Sequence, residues 1–238
     1  MKNTMAIFKR EFRSYFNSPI AYIYIITFLI LSGWLFFRPF FLFNQADMRP
    51  FFDILPWIYL FFIPVITMRL WAEEKKLGTI EILMTLPVKD HEVVLGKFLA
   101  SFLFLSVVVV LTFPIPLTVS LLGNADMGPI IGGYLGSLLM GAAYIAIGLF
   151  VSSLTENQII AFIIGVSVIF AFLIIGTDMV LLTLPYNLVP LFSYLGLGTH
   201  FESIGRGVID SRDIVYYLSV IGLFLFLNVR YIESRRWS

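Results

Sequence analysis

Cysteine is absent and histidine occurs only twice, as His91 and His200, in a chain of 238 residues. Without cysteine there is no disulfide, no iron–sulfur cluster and no thiolate metal site. Charge is scarce as well: acidic and basic residues make up 13% of the chain against 59% hydrophobic, whereas a soluble domain carries about a quarter charged and nearly half apolar residues. A net charge of +1 lacks the concentrated basic surface that phosphate backbones demand, which excludes nucleic acid as a partner. A phosphate-binding Gly-x-x-x-x-Gly-Lys-Ser/Thr loop is also missing. The one Gly-Lys pair, Gly96-Lys97, is followed by Phe98, and His91 stands where the first glycine of such a loop would be.

What the chain has instead is apolar runs long enough to cross a bilayer. They are read as Ile20 to Phe37, Ile54 to Leu70, Phe98 to Leu122, Pro129 to Ser152, Ile159 to Leu182 and Ile214 to Val229. At about 1.5 Å per helical residue each reaches roughly the 30 Å of a hydrocarbon core, and helices satisfy their own backbone, which lipid cannot do. The expected class is an all-α integral membrane protein of six transmembrane helices, with the lipid bilayer as its solvent. The first run is too long for a signal h-region and ends in Phe36, Phe37 and Arg38 without a small-residue cleavage site, so it reads as a retained span.

Basic residues orient the spans. An inside N-terminus places Lys2, Lys9, Arg10, Arg13, Arg69, Lys75, Lys76, Lys89, Lys97, Arg230, Arg235 and Arg236 in the cytoplasm and leaves Arg38, Arg49, Arg206 and Arg212 outside. Twelve against four in short loops is a positive-inside bias, so both termini are expected to be cytoplasmic. Residues 1–19 differ from the spans: Phe8, Phe12, Tyr15 and Phe16 recur at helical spacing while Lys9, Arg10 and Arg13 point elsewhere, the pattern of an amphipathic helix lying in the interface. Residues 20–238 then form one transmembrane domain. Between the fifth and sixth spans, residues 183–213 mix Pro185, Pro190 and four glycines with apolar clusters, which predicts short broken or re-entrant helices packed against the bundle. Gly133, Ser137 and Gly141, with Gly132 and Gly136 beside them, predict close helix packing on the fourth span. Pro56, Pro64, Pro114 and Pro116 should kink the second and third.

The densest polar segment follows the second span. Its basic residues Arg69, Lys75, Lys76, Lys89 and Lys97 balance Glu73, Glu74, Glu81, Asp90 and Glu92. Gly78 is suited to end a helix running on from the span, Thr79 to cap the next short one, and Pro87 to stop it. Two readings of this loop stand on spacing alone: a solvated, self-neutralising turn, or a docking element at the membrane surface.

The run Glu-Glu-Lys-Lys-Leu-Gly-Thr-Ile-Glu-Ile-Leu-Met-Thr-Leu-Pro-Val from Glu73 resembles the coupling loop of type-2 ABC exporter permeases, and within that class the gliding-motility GldF-type permease. The resemblance covers nearly the whole chain. It implies the type-2 exporter fold in a bacterial plasma membrane, and a loop surface of Glu73, Glu74, Lys75, Gly78, Thr79, Glu81, Leu83 and Pro87 that meets a cytosolic ABC ATPase. Glu156 and Asn157, between the fourth and fifth spans, are implied as a minor contact. ATP and Mg would be bound by the partner ATPase, with no cofactor in this chain. A second permease copy, as a homodimer, and a membrane-anchored auxiliary protein with an external domain are the further partners the resemblance suggests.

The competing class is an ATP-independent membrane scaffold or an intramembrane enzyme. Ionisable residues inside a bundle are functional candidates. Here they are few: Asp178 near the outer end of the fifth span is a candidate substrate contact, and His200, Glu202 and Arg206 a candidate external cluster, Glu202 and Arg206 being spaced to pair on one helical turn. His91-Glu92 lacks the second histidine of a zinc-protease helix, so no catalytic residue or metal site is expected.

Overall fold

A computed structural model describes residues 2–43, 45–81, 88–208 and 210–236, and these contain helices and turns with no strand. In chain order the helices are α1 (Lys2–Phe16), α2 (Pro19–Phe43), α3 (Arg49–Thr67), α4 (Arg69–Lys76), α5 (Asp90–Val110), α6 (Pro114–Leu122), α7 (Met127–Leu154), α8 (Gln158–Ile174), α9 (Asp178–Leu181), α10 (Val189–Leu195), α11 (Leu197–Gly205) and α12 (Ser211–Arg236). Among the described residues five helical stretches are long and apolar enough to cross a membrane: Pro19–Leu42, Arg49–Lys76, Asp90–Leu122, Met127–Leu154 and Ser211–Ser234. The chain is therefore a multi-pass membrane protein.

The helix α7 is the axis of the bundle. It packs against α3, α4, α5, α8, α11 and α12, and its middle, from Met140 to Leu149, is almost wholly buried. Its small residues permit this. A Cβ on Gly133 would lie 2.3 Å from the Phe52 ring of α3, and one on Gly141 would lie 2.4 Å from Leu105 of α5. Such distances leave room for hydrogen only, so the glycine stripe serves helix packing. On the far side of α3 an aromatic cluster joins four elements: Tyr15 of α1 stacks on Phe104 of α5 at 4.7 Å, and Tyr24 and Phe28 of α2 meet Phe62 of α3 at 5.1 and 5.3 Å.

Helix breaks fall where the backbone chemistry requires them. Pro114 has no N–H to donate to the turn before it, and the ladder stops at Val110 before α6 restarts at Pro114. Thr112 bridges the gap, its hydroxyl donating to the Val109 carbonyl at 2.6 Å and pairing with the Tyr134 hydroxyl at 2.9 Å. The third span starts earlier than its apolar run suggests: α5 begins at Asp90, which places Lys97 inside a helix rather than in a loop.

The run expected to cross as Ile159 to Leu182 is helical over the 17 residues of α8 and then turns at residues 175–177. Gly176 lies in this turn against the α10–α11 junction, where a Cβ on Gly196 would be 2.7 Å from the Gly176 Cα. The broken helices expected between residues 183 and 213 are α10 and α11. Carbonyls at a helix end have no intrahelical donor. Here side chains supply one: Thr199 donates to the carbonyls of Ser193 and Gly196, both at 2.8 Å, the His200 Nε2 to that of Tyr194 at 2.9 Å, and the Tyr216 hydroxyl to that of Leu195 at 2.5 Å.

Candidate coupling site

The polar segment after the second span grows out of α3 with a single-residue offset. Thr67 ends α3, Met68 follows, and α4 continues to Lys76. The Leu77 and Gly78 N–H groups close the last turn onto the carbonyls of Glu73 and Lys75 at 3.0 and 3.1 Å. Gly78 then adopts φ +69°, the left-handed conformation that favours glycine and ends the helix. Thr79 differs from expectation. It is already helical, and its hydroxyl donates back to the Glu74 carbonyl at 3.2 Å instead of capping the turn that follows. Glu81 is exposed, and Leu83 and Pro87 lie outside the described residues.

The end of α7 grips this offset. The Ser152 hydroxyl accepts from the Trp71 and Ala72 N–H groups, each at 3.2 Å, and donates to the Met68 carbonyl at 3.0 Å. Lys75 donates to the Ser153 carbonyl, and its ammonium lies 5.2 Å from the centre of the Tyr231 ring on α12. One turn earlier, Gly148 lies against Thr67 so closely that a Cβ would come within 2.2 Å of the threonine hydroxyl. The start of the polar segment is thus bolted to the central helix by two serines and a glycine.

A second attachment runs through Lys97 of α5, which is only 1% exposed. Its ammonium donates to the Leu70 carbonyl at 2.9 Å, to Glu74 at 2.8 Å and to Glu11 of α1 at 3.2 Å, and lies 5.0 Å from the centre of the Trp71 ring. Three donors with three acceptors satisfy a buried ammonium, the condition for keeping it charged away from water. Arg10 closes the network from outside, reaching Glu11 at 2.6 Å and Glu74 at 3.2 Å. Farther along α1, Ile7 sits over Gly96 and Asn3 donates to Glu92 at 3.1 Å. The amphipathic helix therefore lies along α5 and reaches α4 through shared charges.

Burial opposes ionisation of Glu11, but Lys97 and Arg10 outweigh it and hold this carboxyl below its ordinary value of 4.5. A carboxyl depressed on folding stabilises the fold above its unfolded value, and that contribution is lost as pH falls through the depressed one. The Glu11 contribution to α1 attachment is thus expected to stay constant from neutral pH down to about 4.5 and to fade only below it. Hydrogen exchange of α1 against pH checks this, and Glu11→Gln should remove that acid transition.

The family model described as ABC-2 family transporter protein matches residues 5–227. The chain belongs to the ABC-2 transporter family. No curated protein matches it. As an ABC-2 transporter it is a permease, a membrane component of ABC transport, and the family implies cytosolic ATPase partners.

Within this permease the residues singled out in the sequence separate. Glu73 pairs with Arg69 one turn earlier at 3.2 Å, and Glu74 is turned into the Lys97 network, whereas Gly78, Thr79 and Glu81 remain exposed. Glu156 is exposed beside Asn157, whose side chain caps α8 by accepting from the Ile159 and Ile160 N–H groups at 2.9 and 3.4 Å. Asp178 lies beyond the end of α8, exposed at the start of the short α9.

The external cluster forms differently from expectation. His200 is buried and meets Asp213 at the start of α12 at 2.6 Å, its ring stacked on Tyr216 at 3.9 Å. Both ring nitrogens are engaged. Glu202 is exposed, and Arg206 donates from Nε to its backbone carbonyl at 3.2 Å rather than to its carboxylate, because α11 ends at Gly205 and the side chain folds back over the terminus. Among the described residues no group of three or more histidine, aspartate or glutamate side chains is placed to hold a metal.

Sequence reasoning missed Ser152, Lys97 as an interior residue, and Asp213. Lys97 had a signal. Val93 and Val94 lie four and three residues before it and Ser101 four after, all buried, which puts the lysine on the inward face of α5.

Proposed function

We propose that this ABC-2 transporter is the permease half of an ATP-driven exporter of the GldF type. In this reading α8 is the fifth of six spans, both termini face the cytoplasm of a bacterial inner membrane, residues 1–19 form an interfacial elbow ahead of the transmembrane domain of residues 20–238, and two identical copies assemble. Cytosolic ATPase subunits bind ATP and Mg and press on the turn around Gly78, Thr79 and Glu81, with Glu73 and Lys75 before it and Leu83 and Pro87 after it in sequence. Glu156 and Asn157 form the minor contact. Asp178, Glu202 and Arg206 are external contacts for substrate or for an auxiliary protein with an external domain, and buried His200 ties α11 to α12 beside them through Asp213.

The observation that carries the reading is the contrast within one short segment. Its beginning is bolted to α1, α5 and α7 through Glu74, Lys97, Lys75 and Ser152, while the turn that follows is exposed. An exposed surface fixed to a rigid lever is what transmission of a push requires.

Glu81 is the position for the test, because reversing Glu74 would disrupt the interior network itself. Glu81→Lys is expected to leave the purified permease folded, to weaken its co-purification with its cytosolic ATPase partner about tenfold, a loss of about 1.4 kcal/mol, and to uncouple ATP hydrolysis from transport. A native chain that captures no ATPase while folded would sink the exporter reading.

A further inference from the structure

Beneath α1 lies an open cavity of about 320 Å³, walled by the ends of α1, α3 and α5 and by α4. Its ionisable lining is three carboxylates, Glu11, Glu73 and Glu74, and three cations, Arg10, Arg69 and Lys97. Their formal charges cancel. A shallow apolar groove of about 20 Å³, room for about one water, lies beside it between α2 and α3, lined by Ile20, Ala21, Tyr24, Val65 and Phe104. The two share Tyr15, Ile66 and Arg69, so the polar chamber has an apolar border, beyond which Ile20, Ile23 and Ile26 stand exposed along α2.

From this shape and charge we infer that the chamber binds the headgroup of a phospholipid carrying a primary amine, of the phosphatidylethanolamine class, with its acyl chains against the exposed apolar face of α2. An anion alone would face three carboxylates, and a simple cation would face three positive groups. A zwitterion places an ammonium and a phosphate a few ångströms apart and meets both signs.

Hydrogen-bonding capacity remains for each end. Arg69 commits its Nε to Glu73, and its terminal nitrogens have no partner among the described contacts; a guanidinium has five donors and suits a phosphate bidentately. Glu74 uses Oε1 for Lys97 and Arg10, while its Oε2 is buried with no partner among the described residues. A primary ammonium can donate to Glu73 and Glu74. A trimethylated choline cannot, which separates phosphatidylethanolamine from phosphatidylcholine. The site lies where α3 passes into α4 and an amphipathic helix meets the bundle, the depth at which headgroups sit. The inference goes beyond the exporter reading and does not depend on which ATPase drives the permease.

The test uses the full chain purified in detergent, with native mass spectrometry and thermal unfolding after addition of phosphatidylethanolamine, phosphatidylcholine or phosphatidylglycerol of identical acyl chains, and of water-soluble phosphoethanolamine. Phosphatidylethanolamine is expected to stay bound and raise Tm, with roughly tenfold weaker retention of the other two lipids, the factor that about one charge-assisted hydrogen bond provides. Arg69→Gln should abolish this preference. Arg69 is part-exposed and its pair with Glu73 is of the weak surface kind, so the variant should keep the wild-type Tm in phosphatidylcholine. Glu73→Gln is the second variant and should weaken phosphatidylethanolamine alone. Equal stabilisation by all three lipids, or a preference unchanged in both variants, overturns the site. Equal stabilisation by phosphoethanolamine overturns the acyl contribution and with it the lipid as the source.

Discussion

Lys97→Met is expected to be the most damaging single substitution on the cytoplasmic half of the bundle. The methionine fills nearly the same volume, so the loss is electrostatic rather than steric. Glu11 and Glu74, 12% and 19% exposed, would lose their shared cation and the Leu70 carbonyl its donor. Breaking a buried pair from one side costs about 3–5 kcal/mol, and because Arg10 still reaches both carboxylates from the surface the loss is expected at the lower end of that range. The expected result is a fall in Tm in detergent, with α1 becoming sensitive to protease, since the buried part of its attachment to α4 passes from Glu11 through Lys97. Neutralising the partners together, as Lys97→Met with Glu11→Gln and Glu74→Gln, should recover most of the loss, because an uncharged cluster of similar shape has a far smaller desolvation cost than unpaired carboxylates. An unchanged Tm in the single variant, or no recovery in the triple one, would show that the network is not what holds α1 and α4 together.

A comparable loss is expected from a change of one carbon on the opposite wall of the same segment. Gly148→Ala places a Cβ 2.2 Å from the Thr67 hydroxyl and 2.8 Å from its Cβ. Neither helix has slack there: Thr67 is buried with its hydroxyl donating to the Ile63 carbonyl at 3.2 Å, and Ser152, one turn along α7, is tied to Met68, Trp71 and Ala72. Overpacking of this kind costs about 1–3 kcal/mol. Its functional consequence exceeds its stability cost. Pushing α7 from α3 at Gly148 should pull Ser152 out of the offset at Met68, so transport should fall while ATP hydrolysis by the bound partner persists. Thr67→Ala removes the two atoms that clash at 2.2 and 3.1 Å and leaves the Cβ contact, so the double variant should recover part of both losses. A double-mutant cycle on Tm and transport reads that coupling. Additive losses would place the effect elsewhere.

Much of the architecture was legible because helix formation and hydropathy are properties of contiguous residues. Phe8, Phe12, Tyr15 and Phe16 marked one face of α1, and Ile7 and Tyr15 are where it meets α5. Pro114 and Gly78 marked two helix ends, since a missing N–H and a left-handed φ act on the turn in which they occur. The glycine stripe marked the central helix. The fifth apolar run misled for a related reason: hydropathy continues past Ile174, but Gly176 is needed at the α10–α11 junction, and the chain turns to put it there.

The side-chain pairs that build the candidate site were not legible. Lys97 meets Glu74 and Glu11 across 23 and 86 positions, Ser152 meets Ala72 across 80, and His200 meets Asp213 across a loop whose spacing has no period. Counting charges in the loop treated Glu74 and Lys97 like Glu81, although two of the three are interior.

The sequence by itself determined that lipid is the solvent, that helices are the means of crossing it, where several of them break, and that a charge-balanced segment follows the second span. The tertiary structure alone decided which of those charges are structural and which remain exposed. Whether a charged group can leave water depends on partners brought to it from remote segments, and only packing places those partners within hydrogen-bonding distance.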